Sequence, residues 1–235
     1  MNTSLPTKTL IRATLLASAL SVSAIAGAQT STPVPLNNAS LEQQTLKYLN
    51  SYDPFGNQRG TYTPNSWTGL NPDGEALQDL YGTPSPDGGH YWGLQYLSGS
   101  RSNMGGIYQD VGGLTIGHTY EISFWSLANH TNDPNTTEQW QVSFGDSSQT
   151  STMLDGSKST TWTKDTLSFV ATSTTQRLTF AALFFGATPG VTPEVLNLDG
   201  IRIADVTPVP EPTSLALLLA GGLVVGTLAQ RRRPN

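Results

Sequence analysis

The side chains most able to do chemistry in this 235-residue chain are aromatic rings set among amides and carboxylates. Exposed rings with such hydrogen-bonding neighbours suit sugars. Trp67, Tyr91, Trp92, Tyr108, Trp125 and Trp140 are the candidates. Aromatics also favour strands and dominate cores, so each must be weighed by its pattern. Trp140 shares the parity of Val142 and Phe144 and is expected in the core. Trp125 shares the parity of Glu121 and Ser123, opposite to Phe124, and is the better candidate for a ring facing a ligand. Tyr91 and Trp92 stand beside the turn-rich Pro84–Gly89 stretch, and Trp67 sits in Ser66-Trp67-Thr68-Gly69.

Catalytic patterns are weaker. A glycosidase needs two carboxylates held across a cleft. Asp110, Glu121 and Asp146 are available, and each reads more simply as a surface residue. His90, His118 and His130 lie in separate turn-like stretches. There is no His-Glu-x-x-His, no Gly-x-Ser-x-Gly elbow and no glycine-rich phosphate loop. The chain has no cysteine, which excludes disulfides, thiolate catalysis, cysteine metal sites and lipoprotein attachment.

The two ends are more explicit. Val209-Pro210-Glu211-Pro212 is expected to be extended, because proline resists helix and restricts the residue before it. Accessible backbone of that kind is what a processing enzyme grips. Residues 213–229 carry no charge and meet the short end of the length needed to span a bilayer. Arg231, Arg232 and Arg233 then form a basic membrane stop. At the other end Lys8 and Arg12 precede an apolar run, and Ala26-Gly27-Ala28 is a small-x-small cleavage site. This reads as a secretory signal peptide over 1–28. The expected organisation is residues 1–28 as signal peptide, 29–207 as one domain and 208–235 as a C-terminal sorting and membrane segment.

That C-terminal segment resembles the PEP-CTERM sorting signal of Gram-negative bacteria in motif, apolar helix and basic end. The N-terminal segment is expected to direct export with cleavage by signal peptidase, and the resemblance implies a precursor anchored in the inner membrane. It also implies processing by an exosortase-type protease, then residence in the cell envelope, at the surface or in extracellular matrix.

Between the signals stand seven Lys or Arg and sixteen Asp or Glu, a net charge of −9. Such a domain lacks the basic footprint that nucleic acid requires. Its pattern is that of strands. Tyr120, Ile122 and Phe124 alternate with Glu121, Ser123 and Trp125; Trp140, Val142 and Phe144 alternate with Gln139, Gln141 and Ser143. Residues 162–170 are strand-like, and Leu178, Phe180, Ala182 and Phe184 line one face of another strand. In the last strand, about residues 195–204, the apolar parity changes at Gly200, which predicts a β-bulge. Turn signals at Gly112-Gly113, Ile116-Gly117, Asp155-Gly156 and Thr188-Pro189-Gly190 separate these runs. The expected fold is all-β, a β-sandwich or jelly roll. Residues 51–89 are rich in turn formers and are expected to hold short strands near Trp67 and Gln78, with long loops.

Four stretches resemble the carbohydrate-binding-module-like, or galactose-binding-like, jelly rolls. They are Val34 to Glu42, Ser66 to Gly69, Ile107 to Trp125 and Leu198 to Ile203. The resemblance implies a domain that binds glycan or another matrix component. It also implies a structural Ca²⁺ held by the opening Glu, here Glu42, and the closing Asp, here Asp199. Leu41 stands where the family usually has Phe, and Gly200 where it usually has a second Asp or Asn. Some jelly rolls of this type resemble calcium-binding cyclases that use a carboxylic acid. Three readings therefore stand: a glycan-binding surface protein, a calcium-dependent cyclase, lyase or hydrolase on the same fold, and a purely structural matrix protein.

Overall fold

The computed structural model describes residues 31–52, 58–70, 75–78, 83–95, 105–129, 136–155, 161–186 and 195–208. All lie within one compact unit, Gln29–Pro210. The expected signal peptide, 1–28, and the segments 209–212, 213–229 and 231–233 lie outside the described residues.

The described residues form strands and no helix. The strands are β1 (Thr32–Val34), β2 (Gln44–Tyr52), β3 (Gln58–Pro64), β4 (Thr68–Gly69), β5 (Glu75–Gln78), β6 (Trp92–Gln95) and β7 (Gly106–Gly112). They continue with β8 (Thr119–Asn129), β9 (Thr137–Phe144), β10 (Ser147–Thr150), β11 (Leu154–Asp155), β12 (Thr163–Val170), β13 (Thr175–Phe185) and β14 (Val195–Asp205). One sheet runs β12-β8-β14-β6-β5, with β1 on β14. A second runs β10-β9-β13-β7-β4, with β11 on β9. Every pairing is antiparallel.

The two sheets face each other across an aromatic core, as their alternating patterns require. Phe124 of β8 meets Phe180 of β13 edge-on at 5.0 Å, and Trp92 of β6 stacks on Trp140 of β9 at 6.2 Å. Tyr120 and Phe169 of the first sheet close on Phe144 of the second. The parities of β8, β9 and β13 are those their sequences require: Ile122, Val142 and Leu178 are fully buried, while Glu121, Gln141 and Thr179 turn away from the core.

β14 is the central strand of its sheet, and its register with β8 shifts between Asp199 and Arg202. Gly200 sits there at φ 55°. The bulge brings Ile201 and Ile203 into the core that Leu196 and Leu198 already occupy. The Ile201 amide donates to the Ala39 carbonyl at 2.9 Å, tying the bulge to the turn over Asn38–Leu41. Leu41, where the family resemblance expects Phe, is itself completely buried.

Two elements depart from the expected pattern. β2 and β3 pair as a two-stranded antiparallel sheet of their own, β3 lying within the turn-rich stretch 51–89 and β2 almost wholly before it. β9 and β10 form a hairpin through Gly145-Asp146, with Gly145 at φ 62°. Glycine at the first position of a two-residue hairpin turn supplies the left-handed φ that this turn needs.

Candidate functional site

The outward face of the first sheet carries Trp125, placed there by the parity of β8. Cross-strand register sets it between Asp199 of β14 and Lys164 of β12. The Lys164 ammonium lies 5.7 Å from the Trp125 ring centre, within cation–π range. Residues 83–91 lie over this part of the sheet. The Trp162 indole N–H donates to the Pro84 carbonyl at 2.8 Å, and Tyr91 meets Trp162 edge-on at 5.1 Å. The Ser85 hydroxyl bridges Asp87 Oδ1 at 2.9 Å and Asp199 Oδ2 at 2.5 Å, while the Gly200 amide donates to Asp199 Oδ1.

Asp199 is fully enclosed. Burial, reinforced by the charge of neighbouring Asp87, pushes its carboxyl up to about 7, against the opposing bonds from Ser85 and Gly200. A hydroxyl has one hydrogen to give. With Asp199 protonated, its O–H donates to Ser85 and Ser85 donates to Asp87, so the chain of bonds is satisfied.

The outward face of the second sheet is different in kind. Ser148, Ser143, Thr179, Tyr108 and Thr68 stand in register across five of its six strands. Strands are about 4.8 Å apart, so this row is roughly 19 Å long. The next row holds Thr150, Gln141, Ala181 and Gly106, and Gln139 pairs with Leu183 beyond it. Ala181 and Gly106 are small, and a side chain at Gly106 would collide with the Phe180 carbonyl. At the opposite end Arg177 pairs with Asp110 across β13 and β7. Arg177 Nε donates to Asp110 Oδ1 at 2.8 Å and Nη2 to Oδ2 at 3.3 Å, and the guanidinium carbon lies 4.0 Å from the Tyr108 ring centre. These bonds hold the Asp110 carboxyl below its ordinary range.

The ring candidates separate accordingly. Trp67 and Trp92 belong to the hydrophobic core, and Tyr91 is 1% exposed under Trp162. A fully packed ring has no face to offer a sugar. The indole nitrogens of Trp67 and Trp92 donate to the Asn38 and Tyr62 carbonyls, which is how a buried tryptophan satisfies its polar end. Trp125 is half-buried, and Trp140 is core. Tyr108 and, at the far end of β13, the exposed Phe185 are rings on the outward face of the second sheet.

The carboxylates expected to hold calcium take different partners. Glu42 Oε2 accepts the His90 amide at 2.8 Å, whereas Asp199 has Ser85 and Asp87 beside it. Among the described residues no three of His, Cys, Asp or Glu gather closely enough to hold a metal. Asp87 approaches the position a side chain at residue 200 would take, its Oδ2 3.5 Å from a Cβ built on Gly200. It comes from a loop with no periodicity, so its place beside Asp199 has no signal in the sequence. Gln109 is structural: its amide bonds to Asn37 and Ser66 backbone and pins the turn before β4.

No family model matches the chain, and no curated protein matches it. Among solved structures it is similar to an apo cyclase from Fischerella sp., at 14% identity over 76% of this chain and 98% of that one, with a TM-score of 0.49. It is similar to a CBM61 module in complex with β-1,4-galactotriose, at 13% identity over 73% and 98%, with a TM-score of 0.43. A CBM22-1 xylan-binding domain from Paenibacillus barcinonensis matches at 14% identity over 63% and 90%, with a TM-score of 0.41.

Proposed function

We propose that this is an exported surface or matrix protein whose β-sandwich binds polysaccharide on the outward face of its second sheet. One observation carries the reading: the open row Ser148–Ser143–Thr179–Tyr108–Thr68, flanked by Gln139, Gln141 and Arg177. Hydroxyls and amides both give and accept hydrogen bonds, as sugar hydroxyls do. The shallow, solvent-facing row suits an extended polymer better than an enclosed small molecule. In this proposal the N-terminal segment is removed by signal peptidase. The membrane segment holds the chain until an exosortase-type protease acts near Val209–Pro212. The partner is extracellular polysaccharide and not nucleic acid.

Calcium belongs to the same proposal. Asp199, Asp87 and Ser85 present oxygen donors of the hard type calcium takes, and two acids beside one hydroxyl leave negative charge for a cation to neutralise. Side chains supply only part of the six to eight oxygens needed, with backbone carbonyls required for the rest. When bound, the ion would supply a structural cross-link between residues 83–91 and β14.

The test is retention of the purified protein on its host's extracellular polysaccharide, with calcium and with EDTA. Tyr108→Ala and Gln141→Ala are each expected to weaken retention by about tenfold, the worth of a lost polar contact. Full retention by both variants would move binding away from this face. No retention of folded wild type in either buffer would favour the purely structural reading.

Asp199 favours one alternative, an acid-catalysed cyclase, lyase or hydrolase. A carboxylic acid that keeps its proton near neutrality can donate it. Turnover abolished by Asp199→Asn with the fold intact would establish that reading.

A further inference from the structure

We infer that Asp110 is a specificity-determining residue: by clamping Arg177 over Tyr108 it cancels the cation of the second sheet's outward face, so that this face takes uncharged polymer and turns acidic polymer away. The inference rests on the polysaccharide reading of that face.

Arg177 is the sole cation on this face among the described residues, and both oxygens of Asp110 are spent on it. The pair is exposed, at 52% and 56%. An exposed ion pair adds little stability, about 0–1 kcal/mol, so folding does not explain why two strands align it. What the pair does is set position and charge. A guanidinium held bidentately lies flat and stacks on a ring, a geometry lysine cannot reproduce. Tyr108 is thereby capped on the side that Arg177 covers.

The electrostatic consequence is direct. A polymer carboxylate meeting Arg177 finds it already neutralised. Asp146, on the adjoining β9–β10 turn, and Asp155, on β11, add negative charge around the same sheet. The chain as a whole carries −5. An acidic polymer therefore gains no attraction there, whereas a neutral one has the full set of hydroxyls and amides. Asp110→Asn keeps the side chain's size and one acceptor oxygen while leaving Arg177 uncompensated.

The experiment measures retention of the full chain on immobilised neutral xylan and on immobilised polygalacturonate, at low and at high salt. Wild type is expected to bind xylan and pass through polygalacturonate. Asp110→Asn is expected to gain at least about fivefold on polygalacturonate, a gain that high salt removes because it is Coulombic. Its xylan binding should stay within about twofold, as Asp110 is committed to Arg177 and not to the polymer. Arg177→Gln added to Asp110→Asn should cancel the gain, which a merely structural effect of the first change would not do. Wild type held equally by polygalacturonate, no gain in Asp110→Asn, or a gain that survives loss of Arg177 would each overturn the inference. The two readings fail separately. Xylan binding by wild type without a gain in Asp110→Asn sinks the role of Asp110 and leaves the glycan face. A gain in Asp110→Asn without xylan binding by wild type upholds the role of Asp110 and sinks the glycan reading for that polymer.

Discussion

At the scale of single residues, Asp199 has the most measurable consequence. Its carboxyl is pushed up to about 7 from 3.8 by burial and by Asp87. Below its ordinary value it is protonated whether the chain is folded or not. Between the two values the unfolded chain gives up the proton while the folded chain retains it. The stability tied to the neutral acid is therefore complete below about pH 4 and lost as pH rises to about 7. In EDTA, the melting temperature of wild type should fall from pH about 5 to about 8. Asp199→Asn should flatten that fall, because an amide does not titrate. An unchanged slope in the variant would show that Asp199 ionises without cost. The residues of this cluster were only partly legible. Asp199 stands in a recognisable strand, but Asp87 is brought to it by the path of residues 83–91, which follows no sequence period. Trp67, Tyr91 and Trp92 show the converse. An aromatic beside turn formers looks available in sequence, and packing decided that these three are not.

At the scale of elements, period two was enough for the long strands and not for the short ones. β8 and β9 each alternate over eight residues and β13 over its first six, so one face of each had to be buried. The same alternation identifies Gln139, Gln141 and Ser143 as the outward set of β9. β2 and β3 carry no comparable alternation, and their register shifts twice, between Leu46 and Tyr48 and between Leu49 and Ser51. The tightest approach between elements is at Gly106, where a Cβ would run into the Phe180 carbonyl. That obstacle is backbone in the neighbouring strand and cannot swing aside. Gly106→Ala is expected to cost about 2–4 kcal/mol in chemical denaturation, through displacement of β7 from β13. A cost below about 0.5 kcal/mol would mean the two strands separate without penalty. Phe180→Ala removes a ring that touches Phe124, Trp140 and Trp67, and should cost about 3–5 kcal/mol.

At the scale of the whole molecule, the last strand is the central one. β14 pairs with β8, β6 and β1, and Thr32 lies opposite Asp205. The first sheet cannot close until the chain has been made through residue 205. A chain ending at residue 194 is expected to lack near-ultraviolet circular dichroism and to be digested rapidly by protease, while one ending at 208 folds. Equal protease resistance of the two would show that the second sheet is stable alone. From sequence alone the all-β class, the strand parities, the bulge at Gly200 and the absence of a basic nucleic-acid footprint could be determined, because each depends on local pattern or composition. Which outward face stays open, which rings are enclosed, and which acid stands beside Asp199 are set by tertiary structure alone. They follow from strand order and loop path, and these bring together residues as far apart as Asp110 and Arg177 or Ser85 and Asp199.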